Sequence, residues 1–268
     1  MAVTRQPAVA GLFYPASPEE LSAQVLSLLD QAAAAQARPA GPVKALIAPH
    51  AGYRYSGATA AAGYAAAAGA GYERVVLLGP CHQVGTPFVA LAGADCFRTP
   101  LGDVPVWQEG AAIAAALPQV ITSPPVHARE HSLEVHLPFI QAALGPGVPV
   151  LPLAVGWAEP AAVAAVIEAV WGGPETLVVV SSDLSHYLPY QQAVAVDSEA
   201  IGQILAGRPP LRSDQACGVF PVNGLLEVSR RLGLSARLVQ YANSGDTAGD
   251  RSAVVGYAAI AFTQEGAR

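Results

Sequence analysis

The sequence predicts an α/β fold: a largely parallel central sheet with helices on both faces. Three observations predict it. First, Val43–Ala48, Val75–Leu78 and Thr176–Val180 are largely apolar runs with β-branched residues, the first interrupted once by Lys44. Strands buried on both faces read this way, whereas a half-exposed strand alternates. Second, these runs are separated by segments with helical spacing, the pattern of a sheet built by crossovers. Third, each run stops abruptly at residues suited to chemistry. His50 follows the first, Cys81 and His82 the second, and Asp183 and His186 the third. Open α/β sheets hold ligands at the carboxyl ends of their strands.

The elements follow in order. The arm Gln6–Pro15 carries Gly11, Phe13 and Tyr14 and is expected to pack irregularly. Ser17-Pro18-Glu19-Glu20 has the form of a helix start, with an N-cap serine, proline at the first position and acids in the first turn. That helix should run to about Ala35, and Gln36–Pro42 is a Pro/Gly linker. After strand Val43–Ala48, the small residues near Gly57–Ala68 predict a helix packed close to the sheet. Strand Arg74–Leu78 leads to an extended stretch, Pro87–Ala92, and a helix near Trp107–Ala116. Leu133–Leu144 has apolar residues at helical spacing. Strand Val148–Val155 precedes helix Pro160–Val170, and strand Thr176–Val180 precedes helix Tyr190–Leu205. A helix at Val222–Arg231 follows. Ala236–Tyr241 and Ala253–Phe262, joined by Ala242–Ser252, read as an antiparallel hairpin at one side of the sheet. No linker forces a boundary, so one α/β domain over residues 1–268 is expected.

Composition narrows the function. The chain has 268 residues, 52% hydrophobic and 13% charged, enough apolar material for a large core. A net charge of −6 and the lack of a Lys/Arg cluster argue against nucleic acid. No signal peptide or membrane-length apolar run is evident, and three cysteines make no disulfide framework, so a cytoplasmic protein is expected. Nucleotide-binding glycine patterns, Cys-x-x-Cys and Gly-x-Ser-x-Gly are missing, which disfavours nucleotide cofactors, zinc ribbons and α/β-hydrolase chemistry.

The chemistry-bearing residues each admit two readings. His50, between Pro49 and Ala51-Gly52, fits a ligand or a capping histidine. His82 fits an inward-facing ligand, with Cys81 diverging as a bystander. Asp183 and His186 suit metal ligation or an oriented general base, and equally an N-cap with a surface histidine. In Glu130–His136 the order is not the zinc-protease pattern, but His131 and Glu134 could share one helical face. A capped helix start at a pocket rim fits as well. Cys217 stands before a helix, where a thiolate would gain from the positive helix end and could act as a soft ligand.

Six motifs in order carry a resemblance across nearly the whole chain. They are Gly11-Leu12-Phe13-Tyr14-Pro15, Ala48-Pro49-His50-Ala51-Gly52-Tyr53, Gly79-Pro80-Cys81-His82, Glu130-His131-Ser132-Leu133-Glu134-Val135-His136-Leu137-Pro138, Ser181-Ser182-Asp183 with His186, and Cys217-Gly218. The chain resembles the Memo family, whose bacterial and archaeal members are called AmmeMemoRadiSam system protein B. The resemblance implies a fold similar to class III extradiol dioxygenases. It implies a metal pocket of His50, His82 and Cys217, with Asp183 and His186 as the acid–base pair and His131, Glu134, Tyr53 and Cys81 nearby. Iron(II) or copper is the implied metal, with zinc possible, and Cys81 replaces a more usual serine. A functional link to radical SAM and AMMECR1-like proteins is implied too. Three functions follow as expectations: a non-haem metal-dependent redox enzyme acting on a small molecule, a binding protein that keeps the pocket without turnover, or a metal-independent hydrolase using Cys217 and His186.

Overall fold

The structure is a computed structural model that describes residues 2–35, 41–247 and 249–264. Most of the expected linker, residues 36–40, lies outside the described residues. The elements in chain order are β1 (Thr4–Arg5), α1 (Pro18–Ala35), β2 (Val43–Ala48), α2 (Tyr53–Ala67), β3 (Arg74–Pro80), β4 (Val89–Leu91), β5 (Cys96–Thr99), β6 (Gly102–Pro105), α3 (Gln108–Ala115), β7 (Val120–Thr122) and α4 (Pro124–Ala128). A 3-10 turn at Glu134–His136 then leads into α5 (Leu137–Ala143), β8 (Val150–Val155), α6 (Pro160–Ala169), β9 (Thr176–Ser181), α7 (Tyr190–Leu205), α8 (Val219–Leu232), β10 (Leu234–Asn243), α9 (Ser244–Thr247) and β11 (Gly256–Gln264).

Eight strands form the main sheet in the order β10-β11-β2-β9-β3-β8-β4-β7. The middle four, β2, β9, β3 and β8, are parallel. All six residues of each of β2, β8 and β9 are buried, Lys44 included, whose Nζ donates to the carbonyls of Trp171, Gly173 and Thr176. One face is covered by α1, α2 and α5, the other chiefly by α6 and α8. The Ala-rich α2 does approach the sheet closely: a Cβ on Gly63 would stand 2.8 Å from Leu46 Cδ1. The terminal hairpin is antiparallel, with β11 also pairing antiparallel to β2. No described helix is long and apolar enough to cross a membrane.

The strand order positions the site. β9 lies between β2 and β3, and Ala48 is the register partner of Ser181. Three strand ends therefore open side by side, carrying His50, Ser181 to Asp183, and His82.

Several expected boundaries move. Leu133–Leu144 is not one helix: a 3-10 turn precedes α5, where Pro138 occupies the first turn, a position suited to its missing N–H. The second helix begins at Tyr53, earlier than Gly57, and β8 starts at Val150 after Pro149. The final strand is Gly256–Gln264, because Ser252–Val255 closes the hairpin instead. A small sheet, β1-β5-β6, has no counterpart in the sequence reading.

Ser17 caps α1 as expected, with Glu20 N–H donating to its Oγ at 3.2 Å. The arm before it is pinned by Glu134. That buried carboxylate accepts from the Arg5 guanidinium, Ala8 N–H at 2.7 Å, Val9 N–H at 3.0 Å and Tyr14 O–H at 2.6 Å. Removing one partner from a buried ion pair typically costs about 3–5 kcal/mol.

Candidate metal centre

His50, His82 and His131 offer ring nitrogens that all lie within 4.8 Å of one another. Their rings pack at centroid distances of 5.1 Å (His50–His82), 5.6 Å (His50–His131) and 4.6 Å (His82–His131). His50 arrives from β2, His82 from β3, and His131 from the loop before the 3-10 turn. That loop comes close to β3 because residue 79 is glycine: a Cβ there would meet Ser132 Oγ at 2.8 Å.

Glu130 organises two of the three histidines. It is buried, and its Oε1 accepts from His82 Nδ1–H and from the backbone N–H groups of His131 and Ser132, each at 2.9 Å. Its Oε2 accepts His82 N–H at 2.5 Å. Burial alone would raise the pKa of this carboxyl, but His82 and the backbone donors outweigh it and hold it at about 2. An ionised carboxylate only accepts, so His82 donates through Nδ1, which makes Nε2 the nitrogen available to a metal. A carboxylate behind a histidine in this way is the usual support of a metal ligand.

Cys217, from the turn before α8, places Sγ 3.3 Å from His50 Nε2. Asp183 N–H donates to the same sulfur at 3.3 Å. The helix start was expected to favour the thiolate. Instead burial, with the Asp183 carboxylate beside it, pushes the thiol well above its ordinary range. Asp183 Oδ1 accepts His50 N–H at 2.8 Å, and its Oδ2 is 4.0 Å from His50 Nε2. Burial raises the Asp183 pKa to about 7 against those hydrogen bonds. His50 is held neutral, first by burial and then by the surrounding histidines.

His186 donates Nδ1–H to Leu184 O at 2.8 Å, which leaves its Nε2 as the basic nitrogen. With His82 and Cys217 it lines a cleft of 750 Å³, whose outer wall includes Tyr187, Leu188 and Val196. The expected hydrolase pair is not what the sulfur contacts: the imidazole at hydrogen-bond distance from Cys217 is His50, not His186.

Other expected pocket residues face elsewhere. Both Glu134 oxygens are spent on the N-terminal arm, as above. Tyr53 donates its O–H to Val135 O at 2.6 Å and packs on Phe139 at 4.8 Å, supporting the loop from behind. Cys81 packs against the apolar core on the α1/α2 face, and burial holds its pKa up at about 12. Sequence reasoning assigned no individual role to Glu130, His136 or Ser181. The signal for Glu130 was its place directly before His131; nothing local marked the other two.

The fold and the site thus define an α/β protein with a three-histidine cluster, able to hold a metal ion, where neighbouring strand ends meet. Comparison with known proteins gives the class a family. A family model described as Memo-like protein matches residues 5–261. A MEMO1 family protein of Methanopyrus kandleri is 36% identical over 96% of this chain and 98% of its own length. One of Methanosarcina acetivorans is 38% identical over the same shares, and one of Sulfolobus acidocaldarius 31% identical over 96% and 99%. The chain belongs to the Memo family. Among solved structures, an uncharacterized protein from Escherichia coli K12 aligns with a TM-score of 0.48 and 12% identity, covering 72% of this chain and 87% of that one.

Proposed function

We propose that this protein holds a redox-active transition metal at His50, His82 and Cys217, with His131 beside them, and oxidises a small molecule in the adjoining cleft. The observation that carries this is the convergence of three neutral-capable imidazoles on one point beside a thiol. The donor set fits a metal. Bonds of about 2.0–2.3 Å in a tetrahedral site hold ligand atoms roughly 3.3–3.8 Å apart, and the three imidazole nitrogens already lie within 4.8 Å of one another. Imidazole and thiolate together favour iron(II), copper or zinc over magnesium or calcium. When bound, an iron or copper ion would supply electron transfer and Lewis acidity that no side chain here provides.

The chain's own residues do the rest. Glu130 orients His82. His186 Nε2 faces the cleft and can take a proton from a bound hydroxyl. Asp183, with its pKa near 7, can hold or release a proton beside His50 at neutral pH. Cys217 must lose its proton to bind the metal, so binding is proton-coupled. The same thiol, kept protonated by burial, is a poor nucleophile, which disfavours metal-independent hydrolysis.

The test is anaerobic purification, elemental analysis and oxygen-uptake assays with a panel of catechols. Bound iron or copper with substrate-dependent oxygen uptake supports the proposal. Tight metal binding without turnover points to a binding protein. Chelator-resistant hydrolysis abolished by Cys217→Ala would replace both readings.

A further inference from the structure

Ser181 ends β9 directly behind His50, and its hydroxyl is fully buried among three partners. It donates to Ser132 O at 2.6 Å. His50 Nδ1 lies 2.6 Å from the same Oγ and His136 Nε2 lies 2.8 Å from it. A serine hydroxyl has one proton and two lone pairs. The carbonyl of Ser132 can only accept, so it takes that proton. Both imidazole nitrogens must then donate to Oγ. His136 is therefore protonated on Nε2, which leaves Nδ1 to accept from Tyr64 O–H at 3.0 Å. The account closes with every atom satisfied: Tyr64 to His136, His136 to Ser181, Ser181 to Ser132, and His50 to Ser181.

We propose that Ser181, oriented by Ser132 and backed by His136 and Tyr64, is a positioning residue that locks His50 in its Nδ1–H tautomer. The Nε2 lone pair of His50 then faces Cys217 and the other imidazoles, ready to bind a cation. His82 receives the same protection from a carboxylate; His50 receives it from a neutral hydroxyl. The two ligands thus differ in how much electron density reaches the metal. Burial supports the neutral chain, since it lowers the pKa of His136 to about 3. The inference deepens the metal-centre reading and rests on it for its consequence, but the tautomer itself is a property of the metal-free protein.

The experiment uses full-length protein labelled with ¹⁵N-histidine and stripped with chelator. Two-bond ¹H–¹⁵N correlation assigns the protonated ring nitrogen of each histidine. The expected result is His50 protonated on Nδ1 and His136 on Nε2. His50 protonated on Nε2 in the wild type overturns the proposal without any variant. Ser181→Ala should release His50 into a tautomer mixture and weaken zinc binding about 10–100-fold in a competition titration, the usual loss when a supporting hydrogen bond is removed. Ser181→Thr, which keeps the hydroxyl, should restore both the tautomer and the affinity. If Ser181→Ala misfolds, Tyr64→Phe keeps the shape and removes only the proton donor to His136; His136 should then stay protonated on Nε2 and His50 on Nδ1, because Ser181 Oγ still takes both protons, and a shift of His136 to the Nδ1–H form counts against the chain. Expected tautomers with no zinc binding in the wild type would leave this inference standing and sink the metal-centre reading.

Discussion

Replacing Glu130 by Gln should damage the centre from behind. The amide oxygen can take the place of Oε1 and keep its three N–H partners. The amide NH₂ then falls where Oε2 stood, facing His82 N–H, which now lies 2.5 Å from an acceptor. Donor meets donor in a buried space. Losing a charge-assisted hydrogen bond costs about 1.5–3 kcal/mol, and stranding a buried N–H about 1–3 kcal/mol. A second route gives a similar size: the fall of the carboxyl pKa from 4.5 to about 2 corresponds to about 3 kcal/mol of preference for the anion. The expected loss is therefore about 3 kcal/mol in urea unfolding of the metal-free protein at neutral pH, with zinc affinity falling about 10–100-fold. In the wild type this contribution is complete above the unfolded pKa and vanishes as pH falls through the folded one. A variant that loses less than about 1 kcal/mol and binds zinc as tightly as the wild type would refute the role given to Glu130.

Three further outcomes are expected. Cys217→Ala should lower anaerobic iron(II) or copper affinity at least about tenfold while the thermal midpoint of the metal-free protein stays within a few degrees of wild type, because the thiol hydrogen-bonds across the cleft and packs little core; equal affinity would remove sulfur from the donor set. His186→Ala should abolish turnover yet retain the metal by elemental analysis, since its imidazole lines the cleft outside the three-histidine group; metal loss would make it a ligand. His127, buried and donating Nε2–H to Ala90 O at 2.8 Å, is held at a pKa of about 4 by burial. The unfolded chain binds this proton first as pH drops below the ordinary 6.5, so stability should decline from there towards pH 4 by up to about 3 kcal/mol. His127→Gln should flatten that decline in denaturation curves taken across the range, and an unchanged slope would assign it to other groups.

The main strands were legible because burial on both faces leaves a plain mark, an unbroken apolar run such as Thr176–Val180. Their sudden ends at His50, His82 and Asp183 marked the site edge for the same reason. The small β1-β5-β6 sheet was not legible, since strands of two to four residues carry too little periodicity to stand out. Glu130 looked like a helix cap because an acid beside a turn is ordinary; only the strand order shows that it sits under His82. Cys217 shows two effects competing. Its place before α8 argued for an acidic thiol, but a helix end contributes little where burial and a neighbouring carboxylate oppose the anion. Ser181 gave no signal at all, because its importance lies in three partners from Ser132, His50 and His136, none of them local.

The strand order also has a consequence for biosynthesis. β2 is flanked by β9 and β11, so both of its neighbours are made long after it. Ribosomes add roughly 5–20 residues per second, and the 133 residues from Ala48 to its partner Ser181 need roughly 7–27 s. Through that interval Val43–Ala48 leaves the ribosome as an apolar segment with two open edges and nothing to pair with. Nascent chains should therefore be good clients for chaperones that hold extended hydrophobic peptides. No ion can be shared by His50 and Cys217, 167 residues apart, until synthesis is nearly finished. Any ion the two residues share would load only after that point.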